Sequence, residues 1–390
     1  MQFLIYLVQF LEDPKIFMSN PIRILHVLHG MDCGGAENMI MNLYRNIDRN
    51  DVQFDFLVHT DKPCFFDEEI IRLGGRIYHV TYYNVLNHLL YKSELKKFFR
   101  NHEEIKIVHG HLGSCAHVYL EVAKSAGCFT IAHSHNTLPT NKSIKNLLYR
   151  LFTLKTRKIA HHFIACGKQA GIDRFGIKIV DSKNFSILNN AIETQKYVYD
   201  EILRNKIRKN LAISGKLVVG HIGRFSYQKN HIFLMDIFYE IQKIVPESIL
   251  MLVGDGDLRP VINDKIRELH IEDKVILTGV RNDVPSLLQA MDCFIFPSRY
   301  EGLPVTLVEA QAACLPIVCS SSITDEIRIT NNIEFVSIEV EPKCWAEIIL
   351  KKLSDSCRVD NSEKIIAHGY DIAKTSEWLA NFYKNKYDER

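Results

Sequence analysis

An alternation of short β-rich runs with amphipathic helical stretches, run through twice, constrains this chain more than any other feature. In the first half, strand-like runs fall at residues 23–28, 54–58, 77–80, 107–110, 129–133, 162–165 and 185–188, with helical patterns such as 36–45 and 89–100 between them. Strand, helix, strand at this spacing predicts a parallel sheet covered on both faces. The scheme restarts with strand-like runs at 217–222, 249–253, 275–277, 293–296 and 317–319, and helical stretches at 231–244, 258–269, 284–290 and 305–313. The 390 residues therefore read as α/β, two doubly wound domains facing a central cleft. The expected units are an extension over 1–20, a first domain over 21–195, a second over 196–370, and a helix over 371–390 that returns to the first domain. The polar, charge-rich run 193–216 marks the passage between the two domains. Ligands of such sheets bind beyond the carboxyl ends of the strands.

Composition excludes some classes. Hydrophobic residues are 47% and charged residues 24%, which rules out a disordered or collagen-like chain. The 48 basic and 46 acidic residues leave a net charge of +2, so a dedicated nucleic-acid binder is not expected. Ten cysteines occur with no C-x-x-C pair, which reads as buried thiols in a reducing compartment rather than a zinc site. The apolar opening, residues 1–11, is too short to span a bilayer and lacks the flanks of a signal peptide. Met18 offers an alternative start. With no transmembrane pattern elsewhere, the expected location is cytoplasmic.

Three strings carry chemistry. Gly34 and Gly35, in His29-Gly30-Met31-Asp32-Cys33-Gly34-Gly35-Ala36-Glu37, lie between a strand and a helix, where backbone can approach an anion closely; a tight turn explains them equally well. Arg224 and Lys229, in Gly223-Arg224-Phe225-Ser226-Tyr227-Gln228-Lys229-Asn230, follow the first strand of the second domain. Two cations there suit a diphosphate, Arg as a fork and Lys as a point charge. Glu301 and Glu309, in Pro297-Ser298-Arg299-Tyr300-Glu301-Gly302-Leu303-Pro304 and the helix that follows, are separated by seven residues. A carboxylate accepts two hydrogen bonds from a vicinal diol, so this pair suits sugar hydroxyls. Asp255-Gly256-Asp257 imitates a D-x-D metal motif. Its place between strand and helix makes Gly254 and Gly256 turn residues and Asp257 an N-cap.

Together these strings resemble family four of the retaining glycosyltransferases, of the GT-B fold with two Rossmann-like domains. The likeness runs from about Pro21 onward, and the phrases Ile131-Ala132-His133-Ser134-His135-Asn136-Thr137 and Leu188-Asn189-Asn190-Ala191-Ile192 are similar to members that build capsule, exopolysaccharide or O-antigen. The resemblance implies an acceptor-side first domain and a nucleotide-sugar-binding second domain. It implies that Arg224 and Lys229 bind the donor diphosphate, Glu309 the ribose and Glu301 the donor sugar. Gly34, Gly35, Gly254, Val280, Gly302 and Leu303 would complete the donor site, with Gly279, Arg281 and the Leu287 region near the base. His133 matches the histidine beside the transferred sugar, and His111 and His135 are further sugar- or acceptor-proximal candidates.

The implied activity is a retaining, metal-independent hexosyltransferase needing no cofactor, with a nucleotide-diphosphate sugar as donor and a lipid-linked oligosaccharide as acceptor. A nucleotide-sugar epimerase of the same fold and a non-catalytic polysaccharide-assembly partner are the alternatives. From Val122 to Ile172 there is no Asp or Glu, and segment 142–158 alternates Lys and Arg with apolar residues. That basic amphipathic pattern predicts peripheral docking on the inner face of the cell membrane.

Overall fold

The computed structural model describes residues 20–32, 34–135 and 153–390. The expectations for residues 1–19, for Cys33 and for most of the basic segment 142–158 lie outside these residues. Two parallel sheets organise the rest. The first contains β1 (Ile22–Val27), β2 (Val52–Val58), β3 (Ile77–His79), β4 (Ile107–Gly110), β5 (Phe129–Ser134), β6 (His162–Ala165) and β7 (Phe185–Ile187), in the order β3-β2-β1-β4-β5-β6-β7. The second contains β8 (Leu217–Ile222), β9 (Ser248–Val253), β10 (Val275–Gly279), β11 (Cys293–Phe296), β12 (Ile317–Ser320) and β13 (Ile333–Val336), in the order β10-β9-β8-β11-β12-β13.

Each sheet has helices and an apolar core on both faces. That is why strands such as β11, Cys-Phe-Ile-Phe, read as unbroken apolar runs. Strand order reverses between β1 and β4 in one sheet and between β8 and β11 in the other. These switch points open a crevice at the carboxyl edge. The glycine pair follows β1, the Arg224–Lys229 string follows β8, and the Glu301 string follows β11.

Strand β13 and helices Pro342–Asp355 and Ser362–Ala367 were not legible in the pattern. β13 is a four-residue edge strand with an exposed Glu334. An edge strand has a partner on one side only, so it needs less apolar content.

Helix Ile372–Asp388 packs against the first sheet, placing Ile372, Leu379, Ala380 and Tyr383 in that lobe's core. The chain thus crosses between lobes twice. The crossings touch where Ile192 and Tyr370–Ile372 exchange backbone hydrogen bonds of 2.8 and 2.9 Å. The described cysteines are free; Cys344 and Cys357 are exposed and Cys64 is half-buried, so burial does not extend to all of them.

Loops of the second lobe are held together through glycine. Gly254 has φ +133°, and a Cβ there would sit 2.2 Å from the Gly223 carbonyl oxygen. A side chain is excluded twice, by conformation and by contact. Asp257 does not cap the following helix: Leu258 occupies the N-cap position without a side-chain cap, and the Asp257 carboxylate points outward to Arg224. Asp255 takes the turn-bracing part, accepting from its neighbour Gly256 N–H at 2.8 Å and from Arg259 at 2.9 Å. Gly254→Ala is expected to lower the unfolding free energy by about 1–3 kcal/mol. Denaturant titration checks this, and an unchanged midpoint would contradict the close approach.

Candidate active site

The second and third strings lock to each other, although about 70 residues separate them along the chain (|i−j| of 67 to 73). Asn230, with φ +57°, ends the loop after β8 and donates from Nδ2 to the Pro297 carbonyl at 3.2 Å. Arg299 returns a hydrogen bond to Asn230 Oδ1 at 2.9 Å, and its backbone N–H donates to the Gln228 carbonyl at 2.8 Å. Inside this clasp, Lys229 Nζ donates to Glu301 Oε1 at 2.8 Å, and Gln228 Nε2 donates to Oε2 at 3.0 Å. The ion pair is largely buried, and Lys229 Nζ lies 4.4 Å from the centre of the Phe296 ring. With both its oxygens engaged, Glu301 is rigidly placed.

Arg224 does not join this pair. Its side chain is 72% exposed and, among the described residues, pairs with Asp257 at 3.5 Å. Glu309 also stands apart from Lys229. It lies in the second turn of helix Val305–Ala312, where Tyr197 O–H donates to Oε1 at 2.7 Å. Burial raises the Glu309 pKa above the usual carboxylate range, and the Tyr197 hydrogen bond opposes that rise. Oε2 takes no hydrogen bond from any described residue and remains available to a hydroxyl. Val280 is exposed beyond β10, and Arg281 pairs with Asp283 at 2.6 Å, while Leu287 is buried in the core. Gly302 and Leu303 sit half-buried in the loop after Glu301.

The first lobe brings histidines to its carboxyl edge. His26 near the end of β1, His109 and His111 at the end of β4, and His133 and His135 at the end of β5 lie on one face of the sheet. Residues two apart along a strand share a face, so the phrases His-Gly-His and His-Ser-His each present two rings. His26 Nδ1 hydrogen-bonds His111 Nε2 at 2.9 Å, and His111 Nδ1 hydrogen-bonds His135 Nε2 at 2.7 Å. His109 Nε2 bonds His133 Nδ1 at 3.1 Å, while its Nδ1 meets the Tyr383 hydroxyl of the returning helix at 2.6 Å. The His133 and His135 rings stack at 4.0 Å.

Burial, reinforced by neighbouring rings, holds His109, His111 and His133 well below the ordinary imidazole range and takes His26 and His135 to about 3. The cluster is neutral. His111, His133 and His135 place one ring nitrogen each within 4.8 Å of one another, as do His26, His109 and His111. A metal could bridge either set only by breaking the histidine–histidine hydrogen bonds. His26 Nε2, His133 Nε2 and His135 Nδ1 are buried without a hydrogen-bond partner among the described residues.

The glycine pair is only partly open. Gly34 N–H donates to the Asp32 carbonyl at 2.8 Å. A Cβ on Gly34 would collide with the Glu37 carboxylate, whereas one on Gly35 would meet nothing within 4 Å. Helix Gly35–Asn46 begins without a side-chain cap.

The lobes meet at these same edges. Glu326 of the second lobe accepts backbone N–H bonds from Lys168 and Gln169, 3.1 and 3.3 Å, at the start of helix Lys168–Phe175 in the first lobe. Leu303 approaches Gly167 beside them. Sequence reasoning missed Tyr197, Gln228, Glu326, His26 and His109. Gln228 lay inside a string already singled out and could have been found; Tyr197 and Glu326 offered no local signal.

Two facing parallel-sheet lobes, with cations and carboxylates at one edge and histidines at the other, define the GT-B class. The second lobe matches the family model for glycosyl transferases group 1 over residues 204–371, and the first matches glycosyltransferase family 4 over residues 33–196. EpsF of Bacillus subtilis, named there as a glycosyltransferase, is 33% identical over 374 residues, which is 94% of this chain and 97% of that protein. The UDP-Gal:α-D-GlcNAc-diphosphoundecaprenol α-1,3-galactosyltransferase of Escherichia coli is 24% identical, covering 72% of this chain and 76% of that one. The UDP complex of HepE from Anabaena superposes with a TM-score of 0.78 at 20% identity, covering 93% of this chain and all of that one. The chain belongs to this glycosyltransferase family.

The neutral histidines make stability depend on pH. Their folded pKa values lie below the unfolded value of about 6.5, so the unfolded chain binds more protons in acid. Stability is fully present above pH 6.5 and falls as pH drops towards the folded values, near 3 for His26 and His135. Each imidazole that must charge on unfolding contributes a slope of about 1.4 kcal/mol per pH unit. Denaturant titrations at pH 7.5 and about pH 5.5 are expected to show a clear loss. Equal midpoints would mean that the cluster is not neutral.

Proposed function

We propose that the protein is a retaining glycosyltransferase that moves a hexose from a nucleotide-diphosphate sugar to a hydroxyl of a lipid-linked glycan, in bacterial surface polysaccharide synthesis. The supporting observation is the Lys229–Glu301 pair, fixed at the second lobe's switch point by Gln228, Asn230 and Arg299. It sets a cation for phosphate beside a carboxylate for sugar hydroxyls.

On this reading the donor diphosphate draws Lys229 and the exposed Arg224 onto its oxygens. Glu301, relieved of part of its partner, accepts from donor hydroxyls. Glu309 Oε2 accepts from the ribose while Tyr197 holds Oε1. The bond from C1 to the diphosphate oxygen breaks through an oxocarbenium-like state, as in glycoside hydrolysis. Its electron pair goes to the diphosphate, whose growing charge Arg224, Lys229 and backbone amides stabilise. Preorganised charge of this kind is often the largest catalytic contribution, and these side chains supply it without a metal. The acceptor oxygen bonds to C1 on the face the phosphate leaves, and its proton passes to that phosphate. His133, a neutral ring with Nε2 unused, donates or accepts beside the sugar.

The relatives support the substrate classes: one is named for a UDP-galactose donor and a diphosphoundecaprenol acceptor, and another, CapH of Staphylococcus aureus, for capsular polysaccharide biosynthesis. A lipid-linked acceptor places the enzyme at a membrane surface, on the inner face where nucleotide sugars are held. No described helix is long and apolar enough to cross a membrane.

Lys229→Ala and Glu309→Ala are each expected to lower kcat by about 10²–10³ or more with the fold retained. Transfer from labelled UDP-hexoses to membrane extracts, with circular dichroism as a control, measures this. Normal turnover in either variant rejects the site. Glu309 must be ionised to accept two hydrogen bonds, so kcat/KM falls in acid through its raised pKa. Tyr197→Phe removes a hydrogen bond that favours the charged form, so the acid limb of the profile moves to higher pH. Glu309→Gln is expected to abolish that limb.

A further inference from the structure

Of the histidine rings at the carboxyl edge of the first sheet, the proposed transfer engages His133 alone. His26 pairs in register with His109 on neighbouring strands, and Gly110 pairs with Ala132, so His111 and His133 follow side by side at the strand ends. Alternation along each strand turns these rings, with His135, to one face. One ring nitrogen from each of His111, His133 and His135 lies within 4.8 Å of the other two. Three convergent imidazoles form a ligand set that suits zinc, copper or nickel, whereas magnesium, calcium and manganese prefer oxygen ligands.

The ring protons can be arranged to suit an ion. A neutral imidazole has one N–H and one lone pair. With its N–H on Nε2, His111 donates to His26 Nδ1 at 2.9 Å and presents Nδ1. With its N–H on Nδ1, His133 donates to His109 Nε2 at 3.1 Å and presents Nε2, the nitrogen buried without a partner. His109 in turn donates from Nδ1 to the Tyr383 oxygen at 2.6 Å, so that Tyr383 accepts. His135, with its N–H on Nδ1, presents Nε2, which already faces His111 Nδ1 at 2.7 Å. Three lone pairs become available without loss of a proton from the protein. Two of the three rings also make the outer hydrogen bond that metal-bound histidines regularly make, which fixes their orientation.

The movement needed is small. Metal–nitrogen bonds of about 2.0–2.1 Å in tetrahedral geometry set ligand nitrogens about 3.3–3.4 Å apart. His111 and His135 open from 2.7 Å and the 4.8 Å spread closes, so each ring shifts by about 1 Å. The hydrogen bond between His111 and His135 is exchanged for two metal bonds. The other set, His26, His109 and His111, is less suitable, because His26 and His109 are fully buried and both nitrogens of His109 are engaged. His111 and His135 are only half-buried, so the outer set is reached from solvent. The Arg174 guanidinium, near enough to oppose positive charge on His135, favours an anion such as chloride or hydroxide in the open fourth position.

We infer that His111, His133 and His135 form a binding site for a divalent transition-metal ion of the zinc class. The ion takes no part in the transfer chemistry and competes with it. On the reading that sets His133 beside the donor sugar, an ion on Nε2 occupies that place, so bound zinc inhibits transfer.

The test is titration of Co²⁺ into the full chain, treated with chelator and carrying no histidine tag. Cobalt is expected to bind with the strong visible absorption of a tetrahedral site, to be displaced by Zn²⁺, and to resist a large excess of Mg²⁺. His111→Gln and His135→Gln are each expected to weaken binding by at least about tenfold. His368→Gln, an exposed histidine outside the cluster, leaves it unchanged. Circular dichroism checks each fold, and either cluster variant serves if the other misfolds. A wild-type protein without the tetrahedral spectrum, undiminished binding in the folded cluster variants, or displacement by Mg²⁺ overturns the proposal. These readings use no donor, and thermal shift with UDP is read separately. If cobalt binds as expected while UDP stabilises nothing, the ion site stands and the donor reading fails. If UDP stabilises and no tetrahedral spectrum forms, the donor site stands and the ion site falls. Transfer undiminished at saturating zinc removes His133 from beside the sugar and overturns the competition.

Discussion

The common direction of the strands governs this molecule. In a parallel sheet every strand-to-helix loop lies at the carboxyl edge, and the right-handed crossovers decide which face each helix covers. Two such sheets, joined so that those edges meet, collect loops from both halves of the chain in one crevice. Residues as distant as Lys229 and Glu301 then become neighbours without dedicated framework. Glu326 bonding across to the amides of Lys168 and Gln169 is the direct contact of the two edges.

The second lobe's site balances its own charges. Lys229 and Glu301 satisfy each other, which avoids leaving a buried ion alone. Arg224, in contrast, waits in solvent, where its charge costs little. The first lobe uses neutral rings where the second uses ions. Five imidazoles that would repel one another if protonated are kept uncharged by burial, and Tyr383 of the returning helix is bonded into their row. The first lobe's side of the crevice therefore offers hydrogen bonds and the second lobe's side offers charge.

Much of this was legible in the sequence because it was local. Strand β8 and helix His231–Ile244 have the bounds their apolar pattern predicted, and the strings after β8 and β11 announced themselves by glycine, proline and paired charges. What was illegible was contact at long range. Nothing near Tyr197 says that its hydroxyl meets Glu309, 112 residues on. Asp257 looked like a cap by its position one residue before a helical pattern, but the turn gave that helix Leu258 instead. Leu89 and Leu90 opened the helical pattern 89–100, and a sequence does not say which leucines face water. The basic run 142–158 drew attention through charge, while the exposed Leu86 and Leu89 did not.

The paired backbone bonds between Ile192 and Tyr370–Ile372 have a mechanical meaning. Both covalent links between the halves pass through one small region, side by side. A body tethered at a single spot can swing but cannot slide. Opening of the crevice is thereby restricted to rotation about that pivot, with the largest travel at the far lips and almost none beside it.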